Sequence, residues 1–238
     1  MNILVTNDDG INCEGLLLLA EALKGLSGHT VFVLAPEDDR SGVSHSISLN
    51  GPLRLRDRGN NTWTCSGTPA DCVMVAVLGG LPEKPDLVVS GINAGANLGT
   101  DLVYSGTAAA ARQAALYGIP GVAFSLVTLG EGSVFWERAS TFSRDHLEEL
   151  VSLWEKDTFV NVNIPNSPDY SGDPQMTVPS RRLYRDTVVG FDAPDGSRYC
   201  FIKNGPVITD EDPESDWSAV SRNRVAISLV LIHPVVRS

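Results

Sequence analysis

Positive charge is what this sequence has least of. Its 18 lysines and arginines face 29 aspartates and glutamates, for a formal net charge of −11. Nucleic-acid polymers and anionic membrane surfaces are bound through cationic counter-charge, so neither is expected as a partner. A small phosphorylated ligand is not excluded, because a metal cation and a few backbone N–H groups can hold it locally. Long hydrophobic runs are missing too, so no membrane span is expected. The N-terminal apolar run is too short for a secretory leader, and no basic residue precedes it. The cysteines, at 13, 65, 72 and 200, show no C-x-x-C spacing, and the histidines, at 29, 45, 146 and 233, form no H-x-x-x-H pair. A disulfide framework and a zinc site therefore lose their support, and reduced thiols in the cytoplasm are expected. Internal repeats and low-complexity segments are absent as well.

What remains is ordinary globular material. Hydrophobic residues make up 42% and charged residues 20% of 238, enough for one large domain with a full core, or for a domain plus a sizeable extension. Everything turns on the first ten residues. Ile3-Leu-Val5 reads as a strand buried on both faces of a parallel sheet, and it stops at Asn7-Asp-Asp-Gly10. Adjacent strand residues point to opposite faces, so Asp8 and Asp9 converge only if the chain is already turning, which Gly10 permits. Two such carboxylates repel each other and call for a cation between them.

Downstream, Leu16, Leu19, Leu23 and Leu26 recur at helical spacing, and Thr30 to Pro36 reads as a second buried strand. Ile47–Asp57 and Thr62–Ser66 flank Gly59-Asn-Asn61 and suggest a hairpin leaving the main sheet. Gly67-Thr-Pro-Ala-Asp71 starts a helix with Thr68 as N-cap, and Asp86 to Gly91 forms another central strand. Ser105-Gly-Thr107 leads into an alanine-rich helix ended by Gly118, followed by a strand at Gly121–Ser125. A single helix is expected from about Val134 to Lys156, then a strand at Thr158–Ile164. Composition shifts to Pro, Ser, Asp and Gly between Pro165 and Pro179, placing a boundary there: residues 1–164 as the main domain, 165–238 as an extension. That extension carries β-like runs at Tyr184–Phe191 and Tyr199–Lys203, a short helix at Asp216–Val220 and a last strand at Val225–Ile232. The fold class is α/β, a mostly parallel sheet flanked by helices.

The loops at Asn7–Gly10, Arg40–Gly42 and Gly91–Thr107 all follow parallel strands, so they meet at one edge of the sheet. They bring carboxylates (Asp8, Asp9), hydroxyls (Ser41, Ser105, Thr107) and amides (Asn7, Asn93, Asn97) together. All are oxygen donors, which suits one hard divalent cation, Mg²⁺ or Mn²⁺ above others if phosphate shares its coordination. Such a cation neutralises a phosphoryl oxygen and acidifies a bound water, the core of phosphoester hydrolysis. A covalent phospho-aspartate enzyme and a non-catalytic nucleotide-binding protein are the competing readings, and the first usually needs Asp-x-Asp with a distant Lys.

Together and in this order, Val5-Thr-Asn-Asp-Asp-Gly10, Ala35-Pro36 with Arg40-Ser-Gly42, Gly67-Thr-Pro-Ala-Asp-Cys-Val73, Ser90-Gly-Ile-Asn-Ala-Gly-Ala-Asn-Leu-Gly99 and Ser105-Gly-Thr107 resemble the SurE family of survival-protein nucleotidases. The resemblance covers residues 1 to about 128. It implies a Rossmann-like domain with a swapped C-terminal arm, a cytoplasmic location, and metal-dependent hydrolysis of nucleoside 5′- and 3′-monophosphates. By position it also implies Asp8, Asp9, Ser41 and Asn93 as metal ligands, with Asp8 and Asp9 catalytic. Asn97, Ser105, Gly106 and Thr107 fall around the phosphate, with Asn7, Gly10 and Gly42 shaping the loops behind. The chain departs from the family pattern at Cys13-Glu14, at His45 and at Leu229-Val230. Beyond Pro179 the apolar β runs are too slight to stand alone in water, so exchange with an identical chain is expected, giving a homodimer or homotetramer.

Overall fold

The computed structural model describes residues 1–128, 132–170 and 173–233. Its frame is a nine-stranded sheet. The strand β1 (Asn2–Thr6) lies between β2 (Thr30–Pro36) and β5 (Leu87–Ala94), parallel to both. The sheet continues from β5 to β6 (Gly121–Val127) and β7 (Thr158–Pro165), again in parallel. Because successive side chains point to opposite faces, Ile3 and Val5 join one core and Leu4 the other. Each is fully buried, and a buried side chain of that size contributes roughly 1.5–3 kcal/mol.

The first core is closed by α1 (Glu14–Lys24), through Leu16, Leu19 and Leu23, with α4 (Trp136–Asp145) and α5 (Leu147–Ser152) beside it. The second is closed by α2 (Pro69–Val77) and α3 (Gly106–Leu116), whose Cys72, Val73, Ala76, Ala110 and Ala114 pack under Leu4 and Leu34. Thr68 caps α2 as expected: its hydroxyl accepts from the Asp71 N–H while the Asp71 carboxylate accepts from the Thr68 N–H.

Two local expectations are corrected. The hairpin of β3 (Leu55–Gly59) and β4 (Thr62–Cys65) does not leave the main sheet; β4 pairs in parallel with β2 and extends the sheet at its edge, with Thr64 and Cys65 buried. The stretch from 134 to 156 is not one helix. His146 stacks on Phe142 with ring centroids 4.1 Å apart, and its Nδ1 lies 3.1 Å from the Phe142 carbonyl. The chain bends there, and Trp154 falls outside the helix, its indole N–H donating to the Thr158 carbonyl at 2.8 Å.

The C-terminal stretch both leaves the sheet and returns to it. Ser171 and Gly172, inside the Pro-rich stretch, lie outside the described residues. A short β8 (Pro174–Met176) sits at the edge of the sheet. Next come β9 (Arg182–Tyr184), the exposed hairpin of β10 (Thr187–Asp192) and β11 (Arg198–Lys203), and β12 (Val207–Thr209), which pairs back on β9. After α6 (Asp216–Ser221), β13 (Val225–Leu231) enters the sheet antiparallel to β7 and parallel to β8.

Candidate active site

The chain steps sideways from β1 to β2 and later returns to place β5 on the other side, so the carboxyl ends of β1 and β5 flank a point where the winding reverses. Ligands of open α/β sheets bind at such points. The turn after β1 is held in place: the Asn7 side-chain amide donates to the Gly10 carbonyl at 3.0 Å, and the Ile11 N–H donates to the Pro36 carbonyl at 2.9 Å. Gly10 has φ +96°, and a Cβ there would come within 3.1 Å of the Asp38 backbone.

Asp8 lies at the amino end of α3 and is only 4% exposed. The Thr107 hydroxyl donates to its Oδ1, and the Gly106 N–H donates to Oδ2 at 3.1 Å. A Cβ on residue 106 would stand 2.7 Å from the Asp8 Cβ, so only glycine lets the helix approach. Burial pushes the Asp8 carboxyl up to about 6, against the Thr107 hydrogen bond and with help from the Asp9 charge. Asp9 is more open. Its Oδ2 accepts from the Ala94 N–H at 3.4 Å and the Cys13 thiol at 3.7 Å; burial raises its pKa, and Asp39 adds to the rise.

Asp8, Asp9, Ser41, Asn93, Asn97 and Ser105 share one cleft of about 820 Å³. The remaining polar groups are turned in a consistent way. Ser41 donates its hydroxyl proton to Asp39 Oδ1 at 2.6 Å, which leaves its oxygen lone pairs free. Asn93 donates its amide to the Gly95 carbonyl at 3.0 Å, leaving Oδ1 free. Ser105 accepts from the Ala108 N–H at 3.0 Å as N-cap of α3, so its own proton remains to donate. Asn97 is locked by Ser125, Asn161 and Asn163.

Asp8 and Asp9 form no ion pair with Lys, Arg or His among the described residues. Nor do three His, Cys, Asp or Glu side chains cluster there as a metal site. A cation at this point must therefore use two carboxylates with a hydroxyl and an amide oxygen. The donor set fits a hard divalent ion, since a buried Asp8 and a half-buried Asp9 have no other counter-charge among the described residues.

Of the residues picked out from sequence, Gly106 and Thr107 face Asp8, and Asn7, Gly10 and Gly42 form the turns behind or beside it. Sequence reasoning passed over three side chains. Asp39 orients Ser41, and its only signal was its place in the acidic loop after β2. Asp101 also lines the cleft, accepting from Tyr184 and Arg182; burial raises its pKa although both partners pull it down. Tyr184 reaches the cleft from β9, far along the chain, and no local pattern could announce that.

A family model described as "Survival protein SurE" matches residues 3–186. The chain is 43% identical over 230 residues to a 5′-nucleotidase SurE of Geobacter sulfurreducens, covering 96% of this chain and 87% of that protein. It is 40% identical over 238 residues to the 5′-nucleotidase SurE of Thermosipho africanus, covering 98% and 92%. The crystal structure of the SurE protein from Aquifex aeolicus superposes with a TM-score of 0.83 at 33% identity, covering 99% of this chain and 95% of that one.

Proposed function

Since the chain belongs to the SurE family, we propose that its cleft hydrolyses nucleoside 5′- and 3′-monophosphates to nucleoside and phosphate with the help of one divalent cation, Mg²⁺ or Mn²⁺. The observation that carries this reading is the meeting of Asp8 and Asp9, without a cationic partner among the described residues, in one cleft with Ser41 and Asn93, whose side-chain oxygens are not spent on the bonds they donate. Those four residues would hold the ion, and when bound it supplies charge neutralisation on the phosphoryl group and acidification of a water.

The chain's own residues do the rest. Gly106 and Thr107 fix both oxygens of Asp8, so its carboxylate is presented in one orientation. Asp9 keeps Oδ1 free toward the cleft and can orient an attacking water. The Ser105 hydroxyl, with its proton unspent, donates to a non-bridging phosphate oxygen, and Asn97 lines the same pocket, braced by its three neighbours. A nucleophilic role for Asp8 fits less well, because Asp8-Asp9 lacks the intervening residue of the Asp-x-Asp that such enzymes usually carry.

Residues 1–164 then form the catalytic unit and 165–238 the extension that completes its sheet and carries the arm. The hairpin shows Val188, Phe191, Phe201 and Ile202 to solvent, each more than half exposed. Such an edge is an aggregation hazard unless a second copy covers it, which supports a homodimer or homotetramer. No helix among the described residues is long and apolar enough to cross a membrane, and we place the protein in the cytoplasm. The test is phosphate release from AMP and a panel of mononucleotides, with EDTA and then with Mn²⁺ or Mg²⁺. Release only with metal is expected; turnover undiminished in excess chelator would overturn the metal site.

A further inference from the structure

The cleft is far larger than a phosphate group needs; its volume is in the range that encloses a whole small ligand. Part of its lining comes from the root of the arm. Tyr184 on β9 is paired with Val207 on β12, and both line the cleft with Ile202. The Tyr184 hydroxyl donates to Asp101, whose other oxygen is paired with Arg182. Arg182 is itself packed over Trp217, 5.5 Å from the ring centroid. The phenol is thus held at its far end, while 41% of the residue stays open. Arg182 also lies over one face of the Tyr184 ring, 6.0 Å from its centroid, so the opposite face of this fixed ring is the stacking platform, and little rotamer freedom is lost on contact.

Two polar side chains border that platform. Asp186 accepts from the Gly205 N–H through Oδ1 at 3.0 Å, which fixes the carboxylate and leaves Oδ2 without a protein donor; Asn204 lies beside it on the cleft wall. Tyr104, 58% exposed, immediately precedes Ser105 and also lines the cleft. We propose that Tyr184, Asp186 and Asn204 form a nucleobase subsite, with the base stacked on Tyr184 and a purine carrying N–H donors on its pairing edge, guanine above others, read by Asp186. A carboxylate accepts from both the N1–H and the 2-amino group of guanine, whereas adenine turns a ring-nitrogen acceptor toward it.

The inference rests on the nucleotidase reading, and its test is kept apart from turnover. Guanosine, cytidine and ribose are titrated calorimetrically into the EDTA-treated protein. The parent is expected to bind guanosine more tightly than cytidine, and ribose least. Tyr184→Ala should weaken guanosine binding roughly tenfold, the scale of base–aromatic stacking. Tyr184→Phe keeps the ring and should lose less. Asp186→Asn should narrow the gap between guanosine and cytidine severalfold. Guanosine binding no better than ribose, equal losses in the Phe and Ala variants, or unchanged selectivity in Asp186→Asn would overturn the subsite. Hydrolysis of p-nitrophenyl phosphate with Mn²⁺ by the parent answers the separate question of function, since a failure there leaves the nucleoside titration intact.

Discussion

Asp8 should make the metal-free protein less stable as pH rises, and Asp8→Asn should flatten that trend, leaving the smaller share due to Asp9 and Asp101. The folded carboxyl sits near 6 against an ordinary value of 3.8, so the native state favours the protonated form. Below the unfolded value the group has no effect on stability. As pH climbs through the window from 3.8 to about 6, the unfolded chain releases its proton first and the fold weakens; above that the penalty is constant. About two units at 1.36 kcal/mol each give a full penalty of about 3 kcal/mol, of which about 2 kcal/mol falls between pH ~4.5 and ~7.5. Asparagine keeps an oxygen for the Thr107 hydroxyl but turns an amide toward the Gly106 N–H, a loss of about 1–3 kcal/mol that does not vary with pH. The slope is therefore the diagnostic quantity. Urea unfolding in EDTA at several pH values, for parent and variant, measures it. Parallel curves for the two would show that Asp8 is not the buried acid described here. Adding Mn²⁺ at neutral pH should then stabilise the parent and leave the variant nearly unmoved.

Ser105→Ala removes a neutral donor and should lower kcat/KM about ten- to a hundredfold, with inhibition by inorganic phosphate weakened in parallel; it also removes the α3 cap, so a melting curve should show about 1 kcal/mol lost. Phosphate inhibition equal to the parent would put the anchor elsewhere. Gly106→Ala forces a Cβ to 2.7 Å from the Asp8 Cβ and should abolish most metal-dependent turnover; a variant with parent kinetics would show that the approach of α3 to Asp8 is not needed. Replacing residues 187–203 by a short turn from Asp186 to Asn204 removes the exposed hairpin while keeping β9, β12 and β13. Light scattering should report a dimer or tetramer for the full chain and a smaller species for the shortened one; a monomeric full chain refutes exchange of the arm.

Elements whose cause is local could be read from the residues. The apolar run at Ile3–Val5 and the Thr68 cap each depend on neighbours within a few positions, and each stands where the pattern put it. The convergence of Asp8, Asp9, Asn93 and Ser105 in one cleft was also legible, because parallel strands deliver their following loops to one edge. What escaped depended on partners distant in the chain. The bend at His146 needs its ring on Phe142, the pairing of β4 with β2 is a choice among open edges, and the donors of Gly106 and Thr107 reach Asp8 because α3 packs over β5 and β6, next to β1. Tyr184 and Asp101 meet only once the arm has folded back.

The position of β13 bears on how the chain comes to be folded. Among the described residues it comes last of the strands in chain order, yet it fills the gap between β7 and β8, covering an edge that carries Phe159, Val160, Val162 and Ile164. Until Val225–Leu231 leaves the ribosome, that edge has no partner of its own, while the strands from β1 to β7 can already assemble. While that edge stands open, the growing chain has its cleft loops in place but lacks self-protection, the state in which nascent proteins most need a chaperone.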